Sequence, residues 1–184
     1  MEKSFPPLIF NNALIEIYVR NYRKMKYHSD QSLDLNANSY IALFSCYEHP
    51  ADLSTQFLRK LKVKNKITAE EFEFSLDNNS VLLFSLASNN NFLHKIVLDT
   101  IPGQKPAVCD NRWLGITFRQ SKTFIQFKNN LPYFPDGKLL TLANDAQKRE
   151  FYQLRGQENN SLDFIYPDIS YTLSIADTLM PKNC

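Results

Sequence analysis

Glycine and histidine are both scarce in this chain, with four and three copies among 184 residues. There is no internal repeat and no Gly/Ser-rich linker, so nothing splits the sequence into separate units. The three cysteines, Cys46, Cys109 and Cys184, are an odd number without a close pair. That excludes a disulfide-stapled scaffold and fits free thiols in a reducing compartment. No stretch reaches the roughly 18 consecutive apolar residues of a membrane helix. The opening "MEKSFPPLIF" has two prolines where a signal peptide would need a long apolar run. The expected setting is cytoplasmic. A formal net charge of +2 is too mild to argue by itself for a nucleic-acid partner.

What is present suits one domain over residues 1–184. Hydrophobic residues make up 43% of the chain, with 14 Phe and 9 Tyr, enough for a sizeable core. "LIEIYVRNY" (14–22), "SYIALFSCY" (39–47), "EFEFSL" (71–76), "VLLFSL" (81–86), "FLHKIVL" (92–98) and "RWLGITFRQS" (112–121) read as strands. "DNNS" between the third and fourth predicts a hairpin turn. With "SKTFIQF" (121–127) continuing the last, about seven short strands separated by turn signals predict a sandwich or barrel core over 14–127. In the remainder, 128–184, "LANDAQKREFYQLRGQEN" (142–159) predicts one helix ending at Gly156 and buttressing the β core, followed by extended chain.

The chemistry gathers around "KYHSDQSLDLNANSY" (26–40). His28 and Asp30 lie at i and i+2, which on a strand puts both side chains on one face. His94, on a later strand, could complete a set of two imidazoles and one carboxylate, the arrangement that holds Fe(II) on one face and leaves the other open. The same residues read equally well as a core histidine and a surface His–Asp pair. His49, in "YEHP", reads as a loop residue. Beyond His94 come Arg112 and Arg119, whose planar guanidinium groups suit bidentate capture of a carboxylate.

With these segments in order, "RNYRKMKYHSD" (20–30), "LLFSLASNNNFLHKI" (82–96) and "RWLGITFR" (112–119), the sequence resembles the AlkB-like branch of the Fe(II)/2-oxoglutarate-dependent oxygenases. The family pattern is Asn/Arg-x-Tyr, His-x-Asp, a distal His, then a strand of the form Arg-x-Asn-x-Thr-x-Arg. The resemblance covers roughly residues 14–125. It implies a mainly β, double-stranded β-helix (jelly-roll) core with a flanking C-terminal helix. It further implies Fe(II) on His28, Asp30 and His94, and 2-oxoglutarate held by Arg119 with help from Tyr22 and Thr117. The implied activity is oxidation of a substrate, by hydroxylation or demethylation, with decarboxylation of 2-oxoglutarate to succinate.

The match departs from the pattern in two places. Strand alternation puts Trp113, Gly115, Thr117 and Arg119 on one face and Arg112 on the other. A bulge at Gly115 would bring Arg112 back; Arg20, on the face of Tyr22, is the rival second cation. Only about a dozen residues precede the first strand, so the long lid with which nucleic-acid-repair members grip a flipped base is not expected. "RKLKVKNK" (59–66) aligns Lys60, Lys62, Lys64 and Lys66 along one face. They could track a phosphate backbone, but they read better as a solvated edge strand. A small-molecule or protein substrate is therefore expected. The alternatives are a nucleic-acid or nucleoside dealkylase and a non-enzymatic metal-binding jelly roll.

Overall fold

The computed structural model describes residues 8–19, 22, 25–53, 58–98 and 111–181. Arg20, Cys109 and Cys184 lie outside them. The fold is mainly β. One four-stranded antiparallel sheet has the order β1 (Asn12–Tyr18), β7 (Trp113–Arg119), β2 (Tyr40–Tyr47) and β5 (Ser80–Ser85). A three-stranded antiparallel sheet has the order β4 (Glu71–Leu76), β3 (Arg59–Asn65) and β6 (Phe92–Leu98). The other edge of β6 takes one bridge, in which the His28 and His94 backbones exchange N–H···O bonds of 3.0 and 2.7 Å. Both sheets stay open; the described residues form no closed barrel.

Period-2 alternation builds the space between the sheets. Tyr18, Leu43, Tyr47 and Trp113 from the large sheet meet Leu61, Val63, Leu76 and Ile96 from the small one. Trp113 is fully buried and donates its indole N–H to Ser45 Oγ at 2.8 Å. Each such side chain contributes about 1.5–3 kcal/mol through burial. The outer face of the large sheet is different: Ile15 and Ile17 on β1 are 63% and 62% exposed.

Several expectations are corrected. The "DNNS" turn does not make a hairpin: β4 pairs with β3 and β5 with β2, so this turn carries the chain from one sheet to the other. β7 shows no bulge at Gly115, and its register with β1 and β2 is unbroken. The glycine is there because the Trp113 ring lies over it; a Cβ at Gly115 would come within 2.2 Å of that ring. β3 is the centre of its sheet, not an edge. Lys60 and Lys62 face Glu73, and Lys64 faces Glu71, across the outer surface. Lys66 leaves the row altogether. The scarcity of glycine is met by asparagine: Asn38, Asn79, Asn129 and Asn130 occupy left-handed turn positions, which asparagine tolerates better than most residues.

Two small ribbons follow the core: β8 (Gln126–Lys128) with β9 (Leu131–Tyr133), and β10 (Thr141–Leu142) with β11 (Tyr171–Thr172). Between β5 and β6 a one-and-a-half-turn helix, α1 (Leu86–Asn91), is capped by the Ser85 hydroxyl. The long helix, α2 (Asp145–Asn160), starts with a capping box between Asn144 and Gln147. It runs through Gly156 instead of stopping there. Its end is satisfied by Lys66, whose Nζ donates to the Glu158 and Ser161 carbonyls at 2.8 Å each. A side-chain cation on the last carbonyls replaces the glycine cap that the sequence suggested.

Candidate metal centre

His28, Asp30 and His94 come together although 28–30 is not a strand. Their ligand atoms lie within 4.8 Å of one another, and this group could hold a metal ion. The single His28–His94 bridge sets the two imidazoles side by side, with ring centroids 4.7 Å apart. His28 Nδ1 lies 3.0 Å from the Lys26 carbonyl oxygen, so that nitrogen carries the proton and Nε2 is left for a ligand. This is the outer hydrogen bond that orients ligating histidines. Asp30 is fixed through its backbone: its N–H donates to Asn89 Oδ1 at 2.7 Å, and Asn89 Nδ2 returns a bond of 2.8 Å to the Asp30 carbonyl.

The protonation states suit a cation. Burial, seconded by the neighbouring His94, pushes the His28 imidazole below its ordinary 6.5, towards the neutral form. Burial alone would raise the Asp30 carboxyl. It is outweighed by the hydrogen bond from His94 and the charge of Arg119, which hold Asp30 well below its ordinary value and ionised. His94 Nε2 stands 3.5 Å from Asp30 Oδ1, and Arg119 Nη2 stands 3.1 Å from Oδ2.

A cavity of about 80 Å³ opens beside the triad. Its wall includes Arg119 and Thr117 from β7, Leu14 and Glu16 from β1, and Leu61 and Ile96 from the small sheet. Arg119 Nε is buried with no partner. Beyond Arg119, a broader groove of about 1360 Å³ runs between residues 31–37, 121–125 and 164–174.

No family model matches the chain, and no curated protein is recovered as a relative.

The predicted cosubstrate residues divide. Arg119 and Thr117 face the cavity. Arg112 does not: it forms a bidentate pair with Glu48, Nε to Oε2 at 2.8 Å and Nη2 to Oε1 at 2.5 Å, at the far end of β7. Tyr22 stacks on Tyr18 at 4.3 Å, is exposed, and does not line the cavity. His49 stands at the N-terminal position of a short 3₁₀ turn at Pro50–Asp52, with no capping bond from its side chain.

Sequence reasoning missed the wall behind the triad. Glu158, 4% exposed near the end of α2, accepts from Ser32 N and Oγ at 2.8 and 2.6 Å, from Tyr166 Oη at 2.6 Å, and from Arg155 Nη1. Arg155 Nη2 donates to the Ser29 carbonyl at 2.7 Å. Asn159 Oδ1 accepts from Ser29 N and Oγ at 2.9 and 3.0 Å. The His-x-Asp segment is thus held by α2 on one side and by Asn89 on the other.

Proposed function

We propose that this chain is an Fe(II)-dependent oxygenase that uses a 2-oxo acid as cosubstrate. The observation that carries the reading is the meeting of His28, Asp30 and His94 in the wall of a cavity that Arg119 also lines. Two imidazoles and one carboxylate are the donor set of non-haem iron oxygenases, and Asp30 is held ready-ionised for it. Fe(II) bound there would supply open coordination positions for a 2-oxo acid and dioxygen, so that dioxygen, taking two electrons from decarboxylation of the acid and two from the substrate, could hydroxylate or demethylate it. The chain's part is to orient the ligands through Lys26, Asn89, Arg155 and Asn159, and to shelter the reacting atoms between the sheets. Arg119 offers a guanidinium to the acid's 1-carboxylate.

The strand pairing supports a jelly-roll reading. β1 pairs with β7, the His28 segment with β6, β2 with β5, and β3 with β4. That nested order is one long antiparallel ribbon folded double and shared between two sheets, as in a jelly roll. A small-molecule or protein substrate remains the favoured class. Lys60, Lys62 and Lys64 face acidic neighbours across their sheet, which lowers their value as a phosphate track.

2-Oxoglutarate fits at one end only. Its oxo-acid end suits the open side of the triad, but among the described residues no cation other than Arg119 lines the cavity to meet its second carboxylate. The test is to load the protein anaerobically with Fe(II), admit oxygen, and follow carbon dioxide release from a panel of 2-oxo acids that includes 2-oxoglutarate. Metal- and oxygen-dependent release is expected. Loaded protein that consumes none of them would leave a non-enzymatic metal-binding module as the better reading.

A further inference from the structure

We infer that the cavity selects a 2-oxo monocarboxylate, an acid with no second carboxylate at its far end. The inference rests on the oxygenase reading and concerns which cosubstrate its site accepts.

The register of the large sheet fixes the order of groups along the cavity. Arg119 lies opposite Asn12, Thr117 opposite Leu14, and Gly115 opposite Glu16. Arg119 is at the metal end, against Asp30. Glu16 therefore enters the cavity four residues further along the paired strands, about 13 Å at the rise of an antiparallel strand. Its Oε1 accepts from Tyr18 Oη at 2.8 Å. The position opposite is a glycine that must stay a glycine, because Trp113 covers it. No side chain can grow from there to supply a counter-charge.

Between these ends the wall carries one hydroxyl, Thr117, and no charge; the rest is apolar, mainly Leu14, Leu43, Leu61 and Ile96. A carboxylate pushed inward would lose its water, meet no described cation and face the Glu16 carboxylate. Arg59, the buried cation of the core, is no substitute. It does not line the cavity; it donates to the Val19 and Tyr22 carbonyls and packs over the Tyr18 ring at 5.2 Å. A cavity of about 80 Å³ has room for a short uncharged tail, since about 10–15 Å³ already accommodates one water.

The experiment is anaerobic titration calorimetry on Mn(II)-loaded protein with 2-oxopentanoate and with 2-oxoglutarate, acids of matched chain length. 2-Oxopentanoate is expected to bind at least about tenfold more tightly. Glu16→Gln, which keeps a side-chain oxygen for Tyr18, is expected to narrow that ratio by about tenfold and to leave Mn(II) affinity unchanged. Equal or tighter binding of 2-oxoglutarate to the unaltered protein overturns the inference. So does Mn(II)-loaded protein that binds neither acid. The unaltered protein's ratio decides the matter even if Glu16→Gln fails to fold. Failure to bind Mn(II) at all would instead remove the oxygenase reading beneath it, and the Mn(II) titration reports this separately.

Discussion

Arg119, the last residue of β7, and Arg112, the residue just before its first, are the same residue type in opposite circumstances. Arg119 is 21% exposed in its side chain and faces a carboxylate that two imidazoles also surround. Arg112 is 54% exposed and pairs with Glu48, in better bidentate geometry than Arg119 has with Asp30. The better-formed pair is the less consequential one. In water the Arg112–Glu48 attraction is screened and offset by side-chain ordering. At the cavity the surroundings are apolar, so each charge depends on its partner and the loss of one strands the other. What makes one end of the strand a site is the shielding behind it, supplied by α2 and Asn89, more than the arginine itself.

Removing that shielding is the strongest way to break the contrast. Glu158→Ala would leave Arg155 buried without its carboxylate and free two groups of Ser32. It should lower stability by about 3 kcal/mol, read as a fall in the urea midpoint. A loss no larger than that of a surface substitution would mean that α2 does not brace the His-x-Asp segment. The middle of β7 comes next. Gly115→Ala drives a Cβ into the Trp113 ring, which is fully buried. Overpacking of this kind should cost about 2 kcal/mol, and the near-ultraviolet circular dichroism of the single tryptophan should change with it.

Acid should separate the ends without mutation. The folded His28 has its proton affinity lowered from an ordinary value of 6.5. Below that pH the unfolded chain therefore binds a proton that the folded chain refuses, and stability falls as pH drops. Asp30 adds a second loss of the same sign below its ordinary 3.8, where the unfolded carboxyl protonates and the folded one does not. Denaturant midpoints between pH 8 and pH 3 should decline in those two stages, and His28→Gln should remove the first. The smallest effect belongs to the far end. Glu48 is held down to about 2 by the Arg112 hydrogen bonds, yet the pair is open to solvent, so Arg112→Ala should leave the urea midpoint unchanged.

Much of this arrangement was legible in the sequence. His28 and Asp30 announce themselves by spacing, and Arg119 by strand alternation from Trp113. β4 and β6 have the limits their composition suggests. The limits of that reading are physical. "EFEFSL–DNNS–VLLFSL" has hairpin composition, but the choice between pairing with each other and crossing between sheets is made by β2 and β3, which offer longer partners. Gly115 looks like a bulge because the indole that requires it is two residues away on the same face. Asn89, Arg155 and Asn159 act on residues 59 to 130 positions distant, which no local pattern encodes. Glu158 did leave a trace. An anion in the last turn of a helix opposes the helix dipole, and an unfavourable local placement signals partners elsewhere.

The claim on which the rest depends is that His28, Asp30 and His94 form one metal site. It is tested most directly by metal content per chain, measured by mass spectrometry after anaerobic Fe(II) loading and desalting. One equivalent is expected in the unaltered protein and in Arg112→Ala. It should be lost almost entirely in each of His28→Ala, Asp30→Ala and His94→Ala, because two remaining ligands no longer define a face. Near-normal iron in any two of those three would contradict the account.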